Sequence, residues 1–229
     1  MQTILLLHGA IGASDQMGPL AAELAKTYEV HTMNFSGHGG VLMPNNEFFS
    51  IENFAKDVLD FMLVSELKTI SIFGYSMGGY VAMYLARHYP EKIEKVVTLA
   101  TKFNWDKDIA AKEMQMLDPE RIEDKLPAFA QTLVERHAPN DWKVVLNNTA
   151  DMLFEMGKNN PMKMEDYSTI TKECLILLGD RDKMVTIEET IEVYKALPNS
   201  KFGILPGTPH PIELVDIDTI SYFIRKVLK

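Results

Sequence analysis

Apolar positions along the chain follow two alternating patterns. Short runs rich in aliphatic and β-branched residues occur at 3–7, 28–33, 69–73, 93–100, 174–178 and 201–205. Between them, apolar residues recur every three or four positions. Runs of that length predict strands, and the wholly apolar ones predict parallel strands covered on both faces. Met17, Leu20, Ala21 and Leu24 have helical spacing and predict a helix of about three turns. Ser50 is a candidate N-cap, reached by a loop from Asn34, for a helix with Ile51, Phe54, Ala55, Val58, Leu59 and Met62 on one face. Thr186 with Glu189 forms a capping box ahead of Ile187, Ile191 and Tyr194, and Ile217, Ile220, Ile224 and Val227 mark a closing helix. Strand then helix, repeated, predicts an α/β fold: a doubly wound, mostly parallel sheet of about six strands joined by right-handed crossovers.

The alternation stops between 102 and 168. That stretch has no strand-like run, only helical patterns broken by Pro119, Pro127, Pro139 and Pro161. Trp142, Val145, Leu146, Thr149, Leu153 and Met156 form its clearest amphipathic face. We read 102–168 as a helical lid inserted into a core formed by 1–101 and 169–229. Six of the 14 methionines fall in the insertion, which suits either a pliable apolar wall or plain filler between small helices.

The run 69–73 enters Gly74-Tyr75-Ser76-Met77-Gly78-Gly79 and leaves as a helical pattern. Gly-x-Ser-x-Gly suits a strained strand-to-helix turn: the central serine takes an unfavourable backbone conformation, and larger residues two positions away would collide. The turn also puts Ser76 at a helix N-terminus, where free N–H groups favour negative charge. Phosphate-binding loops share the strand–glycine–helix look, but neither of their glycine spacings is present. In open parallel sheets chemistry collects at the C-terminal strand ends, and Ser76, Asp180 or Asp182, and His210 all fall there. A serine needs a base to take its proton, and a histidine base needs an acceptor on its other nitrogen.

With those residues in place the sequence resembles the α/β-hydrolase superfamily over nearly its whole length. His8-Gly9 resembles the oxyanion loop, Phe35-Ser36-Gly37-His38-Gly39 the Gly-His-Gly turn, Gly74 to Gly78 the nucleophile elbow, and Gly179-Asp180-Arg181-Asp182 the acid loop. The family's usual first two strands are missing. The resemblance implies a carboxylesterase-like serine hydrolase with Ser76 as nucleophile, His210 as base and Asp182 as orienting acid. The oxyanion donors would be the backbone N–H groups of Met77 and Ala10, with Ile11 as the alternative to Ala10. Ile11, Tyr75, Trp142 and Met184 are the expected substrate contacts, and the substrate is expected to be a small, partly apolar ester. Asp180 reads as a turn-former, with Asp106 or Asp108 as lesser candidates for the acid. His8 and His38 read as loop braces, and His137, in the insertion, reads as solvent-facing, with contact to substrate as the alternative. Two alternatives stand beside the esterase: a lyase or C–C bond hydrolase, since the elbow resembles that of a menaquinone-pathway lyase that carries arginine where Tyr80 stands, and a non-catalytic ligand-binding relative.

Composition narrows this further. The net charge of −9, with no basic cluster, argues against nucleic acid as a partner. No apolar run reaches membrane-spanning length and no leader pattern opens the chain, so the expectation is a cytoplasmic protein without membrane insertion. Cys174 is the single cysteine and reads as a buried apolar residue. No histidine pair has metal-ligand spacing, so neither metal nor cofactor is expected. The sequence leaves the oligomeric state open.

Overall fold

A computed structural model describes residues 1–44 and 47–228. Asn45 and Asn46, within the loop expected ahead of Ser50, and Lys229 lie outside the described residues. Six strands form one sheet: β1 (Thr3–Leu7), β2 (Glu29–Thr32), β3 (Ile70–Tyr75), β4 (Ile93–Leu99), β5 (Glu173–Gly179) and β6 (Ser200–Leu205). Their spatial order is β2-β1-β3-β4-β5-β6, and every neighbouring pair is parallel. The unbroken apolar runs account for this. β3 is buried at all six positions, as a strand covered on both faces must be.

Helices α1 (Gly18–Leu24) and α10 (Ile217–Leu228) pack on one face through Leu20, Leu24, Ile220 and Ile224. On the other face lie α2 (Ile51–Val64), α3 (Met77–His88) and α9 (Ile187–Ala196). Chain order departs from spatial order at β1, so the loops leaving β1 and β3 diverge around a crevice, where open sheets of this kind hold their ligands. Ser50 caps α2 by accepting from the Asn53 N–H, and the Thr186–Glu189 capping box opens α9. The three-turn helix expected from Met17 is instead a 3-10 turn (Ser14–Met17) followed by the two-turn α1. Pro19 explains the break, because proline lacks an N–H and fits best in the first turn of a helix.

Five helices fill the stretch between β4 and β5: α4 (Lys107–Met114), α5 (Pro119–Lys125), α6 (Pro127–His137), α7 (Trp142–Lys158) and α8 (Met164–Tyr167). Pro119 and Pro127 each sit in a first helical turn. Val145, Met152, Leu153 and Met156 of α7 join the core formed by α2 and α3, so these helices share that core. Only Ile122, Ala130, Leu133, Trp142 and Leu146 form a small cluster of their own. Cys174 is fully buried in β5, and burial pushes its thiol up to about 12. Among the described residues no helix is long and apolar enough to cross a membrane.

Candidate active site

Ser76 stands between β3 and α3 with φ +52° and ψ −117°, a left-handed backbone that costs about 1–3 kcal/mol for a residue with a side chain. The surroundings hold it there. Its N–H donates to the Leu99 carbonyl at 2.8 Å, and its carbonyl accepts from Gly79 N–H at 3.0 Å and Thr101 Oγ1 at 3.1 Å. A Cβ on Gly74 would lie 2.3 Å from the Gly78 carbonyl oxygen, and one on Gly78 would lie 2.7 Å from those of Leu7 and His8. The glycines of this turn are therefore steric necessities. Met77, the first helical residue, has an N–H with no partner inside its own helix.

Asp182 and His210 come from the loops after β5 and β6. The Asp182 side chain is buried, and its Oδ2 lies 2.8 Å from His210 Nδ1. Its Oδ1 accepts from the N–H groups of Met184 at 2.8 Å and Val185 at 2.9 Å. Burial alone would raise the Asp182 carboxyl. The His210 hydrogen bond and charge, with the two amides, outweigh it and hold the carboxyl below the usual range. An ionised Asp182 keeps the ring proton on Nδ1 and leaves Nε2 able to accept. Asp180 instead has its carboxylate 3.8 Å from the Arg181 guanidinium. Asp106 caps α4 by accepting from the Ile109 N–H.

Ser76 and His210 line one cavity of about 360 Å³, together with Ala10, Ile11, Tyr75, Met77 and Met184. Tyr75 also donates its hydroxyl to the His210 carbonyl at 3.1 Å. Trp142, expected as a substrate contact, does not line this cavity. It packs in the small cluster of Ile122, Ala130, Leu133 and Leu146, so its place on the amphipathic face of α7 serves helix packing. Met116, Met152 and Met156 supply part of the apolar wall. Lys102, Trp105, Glu113 and Arg136 also reach the cavity, and the sequence reading missed all four. Only Lys102, three residues past the end of β4, carried a positional signal. A wider surface groove between α4, α5 and α7 is lined by neither Ser76 nor His210.

Three histidine rings hold the loop after β1. Phe35 N–H donates to His8 Nε2, so the His8 proton sits on Nδ1, 2.8 Å from the Gly9 carbonyl. His38 Nε2 lies 2.6 Å from the Ala10 carbonyl. His137 accepts from Gly39 N–H on Nδ1 and places Nε2 3.2 Å from the Ile11 carbonyl. His137 is thus fully buried, against the expectation of a solvent-facing ring, because α6 carries it onto this loop. In a trans peptide N–H and C=O point in opposite directions. Carbonyls turned toward the rings therefore leave the Ala10 and Ile11 N–H groups pointing away from them. Among the described residues no group of three or more histidine, cysteine or acidic side chains could hold a metal ion.

Burial lowers His38 from an ordinary 6.5 to about 4, against weaker opposing hydrogen bonds to Ala10 and Ser36, with nearby His137 adding to the lowering. His8 is lowered in the same direction, chiefly by burial. A histidine lowered in the fold takes up its proton more readily in the unfolded chain. Its contribution is full above about pH 6.5 and is lost as pH falls toward 4. His38 alone should cost about 3 kcal/mol over that window. Urea midpoints measured across it should fall steeply, and His38→Gln should flatten the slope; an unchanged slope in the variant would contradict this.

The chain resembles known proteins throughout its length. The esterase YbfF of Escherichia coli is 28% identical over 244 residues, covering 98% of this chain and 92% of the relative. A thermophilic esterase from Thermogutta terrifontis superposes with a TM-score of 0.80 at 20% identity, covering 100% of this chain and 89% of that one. The enol-lactonase from Burkholderia xenovorans gives 0.78 at 18% identity, covering 99% and 91%. A model of the alpha/beta hydrolase fold matches residues 2–170. Because that match spans most of the chain and runs through the Ser76 turn, the chain belongs to the alpha/beta hydrolase fold family.

Proposed function

We propose that this protein is a serine hydrolase that cleaves a carboxylic ester or related acyl bond of a small, partly apolar substrate. The observation that carries this reading is the convergence of a strained Ser76 and an Asp182-held His210 on one cavity. Ser76 Oγ attacks the acyl carbonyl while His210 Nε2 accepts its proton. The developing oxyanion is received by the N–H of Met77 and that of Ala10, or of Ile11 beside it. His210 then protonates the leaving alcohol, and water, deprotonated by the same ring, releases the acyl group and restores Ser76. Tyr75, Ile11 and Met184 contact the substrate, and residues 102–168 act as its cover over the core of 1–101 and 169–229. Two relatives named as esterases and one named as an enol-lactonase support acyl chemistry.

The lyase alternative is weakened at Tyr80. Its hydroxyl accepts from the Met162 N–H at 3.0 Å and donates to the Asn160 side chain, so this position ties α3 to the segment after α7. A purely ligand-binding role would give no reason for Asp182 to fix the tautomer of His210. Incubation with a fluorophosphonate probe, followed by peptide mapping, should give a single adduct on Ser76. Folded protein that takes up no probe would refute the reading.

A further inference from the structure

One wall of the cavity carries polar atoms that the proposed acyl chemistry does not use. Glu113, on α4, is only 4% exposed. Its Oε1 lies 4.0 Å from Lys102 Nζ, and its Oε2 is buried with no hydrogen-bond partner. Lys102 is shared with a second carboxylate, Glu189, at 3.4 Å, so it does not satisfy Glu113 alone. Trp105, which lines the same cavity, has a buried indole Nε1 that likewise lacks a partner. Buried polar atoms in folded chains nearly always find partners, and the exceptions call for a reason. Of the residues lining this cavity, Gln16, Glu113 and Trp105 each carry a buried polar atom without a partner, and Glu113 and Trp105 supply the one acceptor and one donor among them that come from the stretch just after β4.

We propose that Glu113 and Trp105 read a hydroxyl group on the acyl chain of the substrate. A hydroxyl donates to Glu113 Oε2 and accepts from Trp105 Nε1. A methyl group can do neither and leaves both atoms buried and unpaired, whereas an ammonium group cannot accept from the indole. Burial raises the Glu113 carboxyl, and Lys102 opposes that shift only in part. A site built to bond a hydroxyl discriminates strongly against the analogue that lacks it. This inference rests on the acyl-hydrolase reading for the direction of the chain but not for the binding itself.

The test uses methyl ω-hydroxyalkanoates of increasing chain length, each compared with the alkanoate ending in methyl and with the ω-ammonio analogue. Affinity is measured on Ser76→Ala and kcat/KM on the native protein. At the best chain length the hydroxyl should be preferred over methyl by about tenfold or more. In Glu113→Leu that ratio should fall to one or below, and in Trp105→Phe, which keeps the ring, it should fall part of the way. Glu113→Leu should unfold at no lower temperature than the native protein, since it removes a buried carboxylate with one oxygen unpartnered and leaves Lys102 its contact with Glu189. Hydroxyl-dependent binding without cleavage would support this site and refute the hydrolase. Cleavage with equal preference for hydroxyl and methyl, or a preference for ammonium, would overturn the site and leave the hydrolase standing. Neither cleavage nor hydroxyl-dependent binding would overturn both.

Discussion

Ser76→Ala should lower turnover of an activated ester by about a millionfold, the scale on which losing the nucleophile of such a unit is felt. Alanine at φ +52° meets the same backbone strain as serine, and the bonds that fix this residue run through its own N–H and carbonyl. The elbow, the free N–H of Met77 and the cavity wall therefore persist. What disappears is the oxygen that, in the proposed mechanism, forms the acyl-enzyme, so water would have to attack directly with only the proposed oxyanion amides and His210 to help. Steady-state kcat on a p-nitrophenyl ester, with a urea midpoint to show that the variant is folded, is the measurement. Turnover within tenfold of the native rate would move the nucleophile elsewhere.

Asp182→Asn should cost about 10⁴-fold in kcat while leaving the fold intact. The amide oxygen of asparagine can still accept from the N–H groups of Met184 and Val185, which now bond Asp182 Oδ1. Its NH₂ then faces His210 Nδ1, where the carboxylate Oδ2 lies at 2.8 Å in the native protein. Two donors cannot share that contact. His210 responds by moving its proton to Nε2, the nitrogen that in the proposed mechanism accepts from Ser76, and the imidazolium which that mechanism forms loses its counter-charge. The KM should change far less than kcat. Asp180→Asn is the matched control, because that carboxylate faces Arg181, and a comparable loss there would defeat the assignment of roles.

The Ser76 turn was legible in the sequence because backbone geometry imposes a local signature, and the pairing of Asp182 with His210 was legible from the resemblance of the loops that carry them. A turn in which a Cβ would fall 2.3 Å from a carbonyl oxygen admits glycine at Gly74, whatever the rest of the chain does. The sheet was legible for a related reason, since burial on both faces forces unbroken apolar runs. Glu113 and Arg136 were not legible. Each sits among charged residues on a short helix, and helical spacing alone cannot separate a cavity wall from a solvated face. His137 follows Glu135 and Arg136, so its local sequence looks exposed. Its burial depends on Gly39 and Ile11, 98 and 126 residues away. Trp142 failed for the complementary reason: an apolar helical face shows that something is covered, but not by what.

The His137 ring has a mechanical consequence. It joins α6 to the Ile11 carbonyl on one side and to Gly39 on the other, while neighbouring Arg136 reaches Asp15 at 3.2 Å and Glu213 at 3.4 Å. Helix α6 is thus bolted to the loop that, in the proposed mechanism, receives the oxyanion. Lifting it would remove one of the three rings that hold this loop, the one on the Ile11 carbonyl, while His8 and His38 would stay in place. Helix and loop are therefore mechanically coupled: a displacement of α6 is transmitted to the Ile11 carbonyl and to Gly39 rather than absorbed at the helix surface.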